Sequence, residues 1–510
     1  MRFPGVYLLA LPAAAVAVAP LVVLALLADD YASVFDQRNL VLLSNTLVLS
    51  LLTAAGALAL GVPLALLTAF VRLPAGWLWL AILSAPLAIP SYLGAFTLYA
   101  AFGPGGELER GLGLSTPAMS GLWGSALIMA LYTYPFVLLT TRAALLSQDV
   151  NLVLAARTLG LSLRAALLRV ALPRAASGMA AGALLAALYA VSDFGTPSIM
   201  NFDTFTRLIY VEYNAYGLSQ AALFSLQLMV LVGLILYLEG SVSSVRERPG
   251  RALTAAPSSA QLAAMALAVL PVLTLAIGLP LGVFAVWLVR EGVSGFDPQI
   301  AWNSTYASLL AALPAAVVAV PVALVARRGT LGRTLERVCY FGFGVPGIVM
   351  GTALVYIGLR VPSLYQTLLL LVIAYVMRFL PLAVGAVRSA LDKLDESTVN
   401  AARVLGASPG EAFRRVTLPL TTRGLAAGAA LVFLEAMREL PATLLLAPTG
   451  FETLATYLWR VYEAGYFGRA ARPGLLLVLL SALGLALVLS GEGQRGGNTP
   501  RGVADAGAAA

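Results

Sequence analysis

Apolar runs of about 20 residues, the length that crosses the hydrocarbon core of a bilayer, recur along the whole of this 510-residue chain. The chain is 60% hydrophobic and 11% charged, whereas a soluble domain has about a quarter of its residues charged. These features predict an all-α integral membrane protein. Twelve transmembrane helices are expected near 6–28, 43–70, 78–102, 121–146, 174–199, 218–239, 262–289, 303–326, 338–360, 365–387, 420–447 and 473–490. The first apolar stretch exceeds the roughly 7–15 residues of a signal-peptide core, so it reads as a retained span.

What is missing narrows the chemistry. There is no His, one Cys (Cys339) and one Lys (Lys393). No disulfide can form within the chain, and no Cys/His metal cluster or His-based catalysis is possible. The single Lys stands in "ALDKLDE", outside any phosphate-binding Gly-Lys-Ser/Thr loop. No cofactor bound by this chain is expected, and no nucleic-acid partner.

Charge sets the expected orientation. With the N-terminus cytoplasmic, the inside segments carry a large basic excess and the outside loops are slightly acidic, as the positive-inside rule requires. Both termini are then cytoplasmic. Residues 241–261 have the composition of a linker between halves, and the Gly/Ala-rich tail 491–510 that of a disordered segment.

The halves repeat. "LAARTLGLSLRAALLRVALP" (154–173) and "NAARVLGASPGEAFRRVTLP" (400–419) align without a gap, 246 residues apart. The same offset pairs Pro135 with Pro381, Arg142 with Arg388, Asp149 with Asp395 and Asp193 with Glu439. Asn45 and Pro63 pair with Asn303 and Pro321 at an offset of 258. Residues 202–217 resemble 451–468. Six spans per half, an even number, imply parallel repeats about a pseudo-twofold axis along the membrane normal, with a substrate path at their interface. The expected organisation is a first repeat over 1–240, the linker, and a second repeat over 262–490.

Each basic loop reads as a helix, a Gly break, a short amphipathic helix and then a span. Ser408-Pro409-Gly410-Glu411 is a capping box with Pro at the first helical position, and Ser162 is the matching cap. Gly160 and Gly406 sit where a left-handed residue ends the preceding helix. The second helix is expected to run about nine residues and stop before Pro173 or Pro419, too short to stand alone in water. Its apolar positions, Leu163, Leu167 and Val170 in one copy and Phe413 and Val416 in the other, must rest on something. The chain's own helix ends, the lipid interface and a partner with two equivalent sockets are the candidates.

At this point a resemblance appears. Ala155, Ala156, Gly160, Leu172 and Pro173, and likewise Ala401, Ala402, Gly406, Leu418 and Pro419, resemble the "EAA" loop of binding-protein-dependent ABC importer permeases. The family's leading Glu is replaced by Leu154 and Asn400. "SDFGTPSIM" (192–200), "DTFTRLIY" (203–210) and "RELPATLLLAP" (438–448) followed by "FETLATYLW" resemble the fused ferric-iron permeases, with thiamine permeases close relatives and polyamine and phosphonate permeases more distant. The resemblance implies a bacterial inner-membrane transport subunit that performs no chemistry itself. Its short helices, with Leu167 and Phe413, are coupling helices for two ABC ATPase subunits that carry ATP and Mg, docked on 148–173 and 394–419. An extracytoplasmic binding protein would dock on the outer segments, with Asp203, Tyr210, Tyr213, Glu452, Trp459 and Tyr462 at the surface. An ion-driven secondary transporter would share the repeats but needs no pair of capped basic loops.

Charges at membrane depth are costly and mark a bundle interior or a wet path. Asp193, Arg378, Glu435, Arg438 and Glu439 are the candidates. Glu435 and Glu439 are one turn apart, with Arg438 beside Glu435 at i+3. The set forms either a cation-attracting path and gate or a structural ion-pair network, and the two are compatible if pairs exchange. No stable metal site is expected, because conduction needs weak binding. Tyr210, Tyr213, Tyr216, Tyr457, Tyr462 and Tyr466 read as an interfacial belt and outer docking surface rather than as iron ligands. Pro90 and Pro346, in related spans, mark kinks or close packing.

Overall fold

A computed structural model describes residues 11, 18–29, 31–73, 75–215, 217–242, 259–292, 296–327 and 329–493. Most of the expected linker, the tail from 494, Tyr216 and much of the first expected span lie outside the described residues. The described residues are helical and contain no β-strand.

Every expected window carries helix. Seven helices have the length and hydropathy to span a membrane: Gln37–Phe70, Gly121–Leu146, Leu218–Ser241, Met265–Arg290, Pro298–Ala326, Leu368–Asp392 and Pro409–Met437. Three helix pairs meet the same criteria only when taken together, each bent at a short break: Gly76–Ala88 with Ser91–Ala101 at 83°, Leu163–Arg174 with Ala176–Ser192 at 65°, and Gly329–Gly344 with Gly347–Arg360 at 100°. Val18–Leu27 and Ala471–Gly493 occupy the first and last windows. Pro90 and Pro346 cause the sharpest breaks. Each is extended (ψ 136° and 144°) and stands immediately before the second helical segment, where a missing N–H costs nothing.

Each half has a three-helix core. Gln37–Phe70 packs on Gly121–Leu146 and Ala176–Ser192, and Pro298–Ala326 packs on Leu368–Asp392 and Leu418–Met437. Glycine allows the approach. A Cβ on Gly182 would lie 2.5 Å from Val137 Cα, and one on its counterpart Gly428 would lie 3.0 Å from Ala383 Cα, a small-residue contact of the kind that joins helices in lipid.

The halves interlock through their flanking helices. Leu279–Glu291, from the start of the second half, packs on Ser91–Ala101 of the first. Leu218–Ser241, the end of the first half, packs on Gly347–Arg360 of the second. Tyr132 Oη donates to the Ala276 carbonyl across this boundary at 2.9 Å. At the ends away from the basic loops Glu107 accepts from Trp287 Nε1 (3.0 Å) and from both terminal nitrogens of Arg290 (3.0 and 2.8 Å).

Candidate translocation path and docking surfaces

In both halves the chain leaves a long helix, turns at an acid and enters a short helix. The Asp193 carboxylate accepts from Thr196 N at 3.1 Å, capping Gly195–Ile199. The Glu439 carboxylate accepts from Ala442 N at 3.0 Å, capping Pro441–Leu446. Buried helix starts need such acceptors. The long helix ends at Met437, so Glu439 lies beyond it. The expectation that Glu435 and Glu439 share one helical face is therefore corrected: Glu435 pairs with Arg438 and Glu439 with Arg378.

Asp193, Arg378, Glu435, Arg438 and Glu439 all line one cavity of about 110 Å³, together with Ser91, Tyr92, Tyr189 and Ser192. A second cavity of about 370 Å³ shares Tyr189, Ser192, Arg378, Glu435 and Arg438, but its remaining wall is mainly Leu and Phe. It lies toward the basic loops, because Phe136 and Leu382 follow Tyr132 and Arg378 along helices that lead to those loops. The ion pairs thus form a layer between two cavities. Arg438 Nη1 also donates to the Leu87 carbonyl of the first half at 2.7 Å, so its guanidinium bridges the halves. These charges form an ion-pair network, and they line a cavity walled by residues of both halves.

The side away from the loops is closed by aromatic rings. Phe194 lies 5.0 Å from both Tyr210 and Trp459, and Trp459 lies 5.6 Å from Tyr462. Tyr462 Oη donates to the Ile199 carbonyl at 3.1 Å. Trp459 is only 6% exposed, and Tyr210 and Tyr462 are half-buried. This corrects their expected place at the outer surface: the amphipathic helices Phe205–Asn214 and Leu454–Glu463 turn their rings inward, where the two halves meet. Tyr213 is half-buried too, whereas Asp203 is exposed and Glu452 partly so.

A repeated latch fixes these two helices. Asn45 Nδ2 donates to the Asp203 carbonyl at 3.0 Å, and Asn303 Nδ2 to the Glu452 carbonyl at 3.0 Å. Thr46 Oγ1 accepts from Phe205 N (3.2 Å) and Ser304 Oγ from Leu454 N (2.6 Å). The repeated Asn was visible in the sequence, but its purpose was not.

The two basic loops share one geometry. Asp149 and Asp395 cap their first helices through Asn151 N (3.0 Å) and Ser397 N (2.9 Å). Gly160 and Gly406 have φ of +92° and +94°, the left-handed region that favours Gly. Ser162 accepts from Ala165 N at 3.2 Å. Ser408 accepts from Glu411 N at 3.3 Å while Glu411 accepts from Ser408 N at 2.9 Å, the full capping box. The short helices do not stop before proline, which corrects the expected boundary. Wide π-turns at Leu167–Ala171 and Phe413–Thr417 carry them into Pro173 and Pro419, relieving the clash of the ring with the carbonyl four residues back. In the first copy Leu163, Leu167 and Val170 rest on the chain's own core around Val153, Ala156 and Ala166. Ala155, Ala401, Gly160, Gly406, Pro173 and Pro419 are exposed, while Ala402, Leu172, Leu418 and Phe413 are half-buried. Leu159 and Leu405, a repeat pair missed in the sequence, are 85% and 87% exposed beside the glycines.

Twinned helical halves, a charged layer at their boundary and twin exposed loops on one side define a polytopic transport subunit. Residues 61–245 and 309–491 each match the family "Binding-protein-dependent transport system inner membrane component", and the chain belongs to that family. It is 30% identical over 471 residues to the Fe(3+)-transport system permease protein FbpB 2 of Haemophilus influenzae, covering 89% of this chain and 90% of that protein. It is 25% identical to a probable ABC transporter permease of Sinorhizobium fredii over 82% of this chain and 81% of that one. The molybdenum transport system permease protein ModB of Haemophilus influenzae is 28% identical over 41% of this chain and 83% of its own length.

Proposed function

We propose that this chain is the fused permease of a ferric-iron importer. The observation that carries this reading is its likeness, through both halves, to a permease named for Fe(3+) transport. The cavity chemistry agrees. Two guanidiniums are balanced by Glu435 and Glu439, leaving Asp193 as an additional carboxylate.

In this reading the N- and C-termini are cytoplasmic. Two ATPase subunits, which carry ATP and Mg, dock on the loops at 148–173 and 394–419. Ala155, Ala156, Gly160, Leu167, Leu172 and Pro173, with their counterparts, shape the loops that enter the ATPase sockets. One extracytoplasmic binding protein docks on the opposite side near Asp203, Tyr213 and Glu452. Closure of the ATPases moves the short helices and rocks the halves, opening the path by rigid-body motion. The chain itself hydrolyses nothing.

The test is uptake into proteoliposomes holding this chain, its ATPase and its loaded binding protein. Iron uptake that requires ATP is expected. Uptake of thiamine or an oxyanion instead overturns the cargo, and uptake without any ATPase overturns the class in favour of a gradient-driven carrier. Gly160→Pro or Gly406→Pro, incompatible with a positive φ, abolishes ATP-coupled uptake while membrane insertion persists. Normal uptake in either variant removes the coupling role.

A further inference from the structure

The two walls of the small cavity differ in kind. The 246-residue offset sets Tyr132, Tyr189, Ser192 and Asp193 opposite Arg378, Glu435, Arg438 and Glu439. The second-half charges neutralise one another. Asp193 has no arginine within ion-pair distance among the described residues. Instead Ser91 Oγ donates to Asp193 at 3.1 Å and accepts from Tyr189 Oη at 3.1 Å. We propose that Asp193, Ser91, Tyr189 and Ser192 form a transient station for a hard, multivalent cation, built by the first half alone. The proposal rests on the cation reading above and names the wall that handles the cargo.

Hard cations take oxygen ligands, and this wall presents only oxygen. The cavity, about 110 Å³, has room for an ion with a few waters at about 30 Å³ each. It is smaller than the roughly 300–1,000 Å³ of organic-ligand sites. No cluster of three His, Cys, Asp or Glu occurs among the described residues. A lone carboxylate backed by hydroxyls replaces part of a hydration shell without trapping the ion, as passage requires.

The probe is terbium(III), a hard trivalent ion whose emission is sensitised by nearby tyrosine, added to the purified full-length chain in detergent. A saturable emission displaced by gallium(III) is expected. Asp193→Asn weakens it at least about tenfold through the lost charge, and the surface control Asp36→Asn leaves it unchanged. Because Asp193 also caps a helix, Ser91→Ala/Tyr189→Phe, which leaves that cap in place, is measured beside it and must lower both affinity and emission. Equal emission from wild type and Asp193→Asn, or none from wild type, overturns the station. Terbium binding without iron uptake by the assembled transporter overturns the iron reading and leaves the station. Iron uptake without the terbium signal does the reverse.

Discussion

Around the cavity, the first half offers Ser91, Tyr189, Ser192 and Asp193 where the second offers Gly347, Glu435, Arg438 and Glu439. The scaffold beneath is shared almost bond for bond: the Asn latches, the proline breaks, the acid-capped short helices and the left-handed glycines all occur twice. Duplication has kept the parts that hold backbone in place and let the lining diverge. Gly347 shows how the difference is accommodated. A Cβ there would overlap Arg378 Nη1 and Glu439 Oε1, so the guanidinium fills the space that a serine side chain fills in the other half.

The comparison breaks most directly with Gly347→Ser, which imposes the first half's residue on the second. Glu439 is only 6% exposed, so splitting its pair with Arg378 costs about 3–5 kcal/mol. A large drop in melting temperature in detergent is expected, shared by Arg378→Gln. In Arg378→Gln/Glu439→Gln, with both charges gone, much of the loss returns. If Gly347→Ser melts like wild type, the guanidinium does not need that space.

Gly160→Ala and Gly406→Ala sharpen the shared part. Each forces a side chain into the left-handed region at about 1–2 kcal/mol, and the two effects should match in thermal melts or hydrogen exchange of the loops. Asn45→Ala and Asn303→Ala should each cost about 1 kcal/mol. A loss confined to one half would show that the latch is not equivalent in the two.

The smallest effect is a pH dependence present on one side only. Glu107 is partly buried, which alone raises a carboxyl, but hydrogen bonds from Arg290 and Trp287 outweigh this and hold it below its ordinary 4.5. A depressed folded value means that the stabilisation is present above 4.5 and lost as pH falls through the lowered value. Thermal stability should therefore show an acid limb below about pH 4.5 that Glu107→Gln flattens. An unchanged limb in that variant assigns it to other carboxylates.

Local chemistry with a fixed offset was readable in advance. The capping box at Ser408, the left-handed Gly160 and Gly406, and the pairing of Asn45 with Asn303 needed only neighbouring residues and a repeat. Contacts between halves were not readable. Trp459 has the spacing of a surface aromatic, and only the opposing Phe194 and Tyr210 make it interior. Pro173 and Pro419 read as stops because a widened turn has no sequence signature of its own. Glu439 read as helical because nothing local marks Met437 as the last residue of its helix.

The interlocked flanking helices have a consequence for how the protein is made. Ser91–Ala101 is covered by Leu279–Glu291, which leaves the ribosome some 190 residues later. At about 5–20 residues per second that is an interval of roughly 10–40 seconds. Throughout it the newborn first half has Ser91–Ala101 without the helix that later covers it. Supplying the halves as two separate polypeptides would remove the tether that ends the wait.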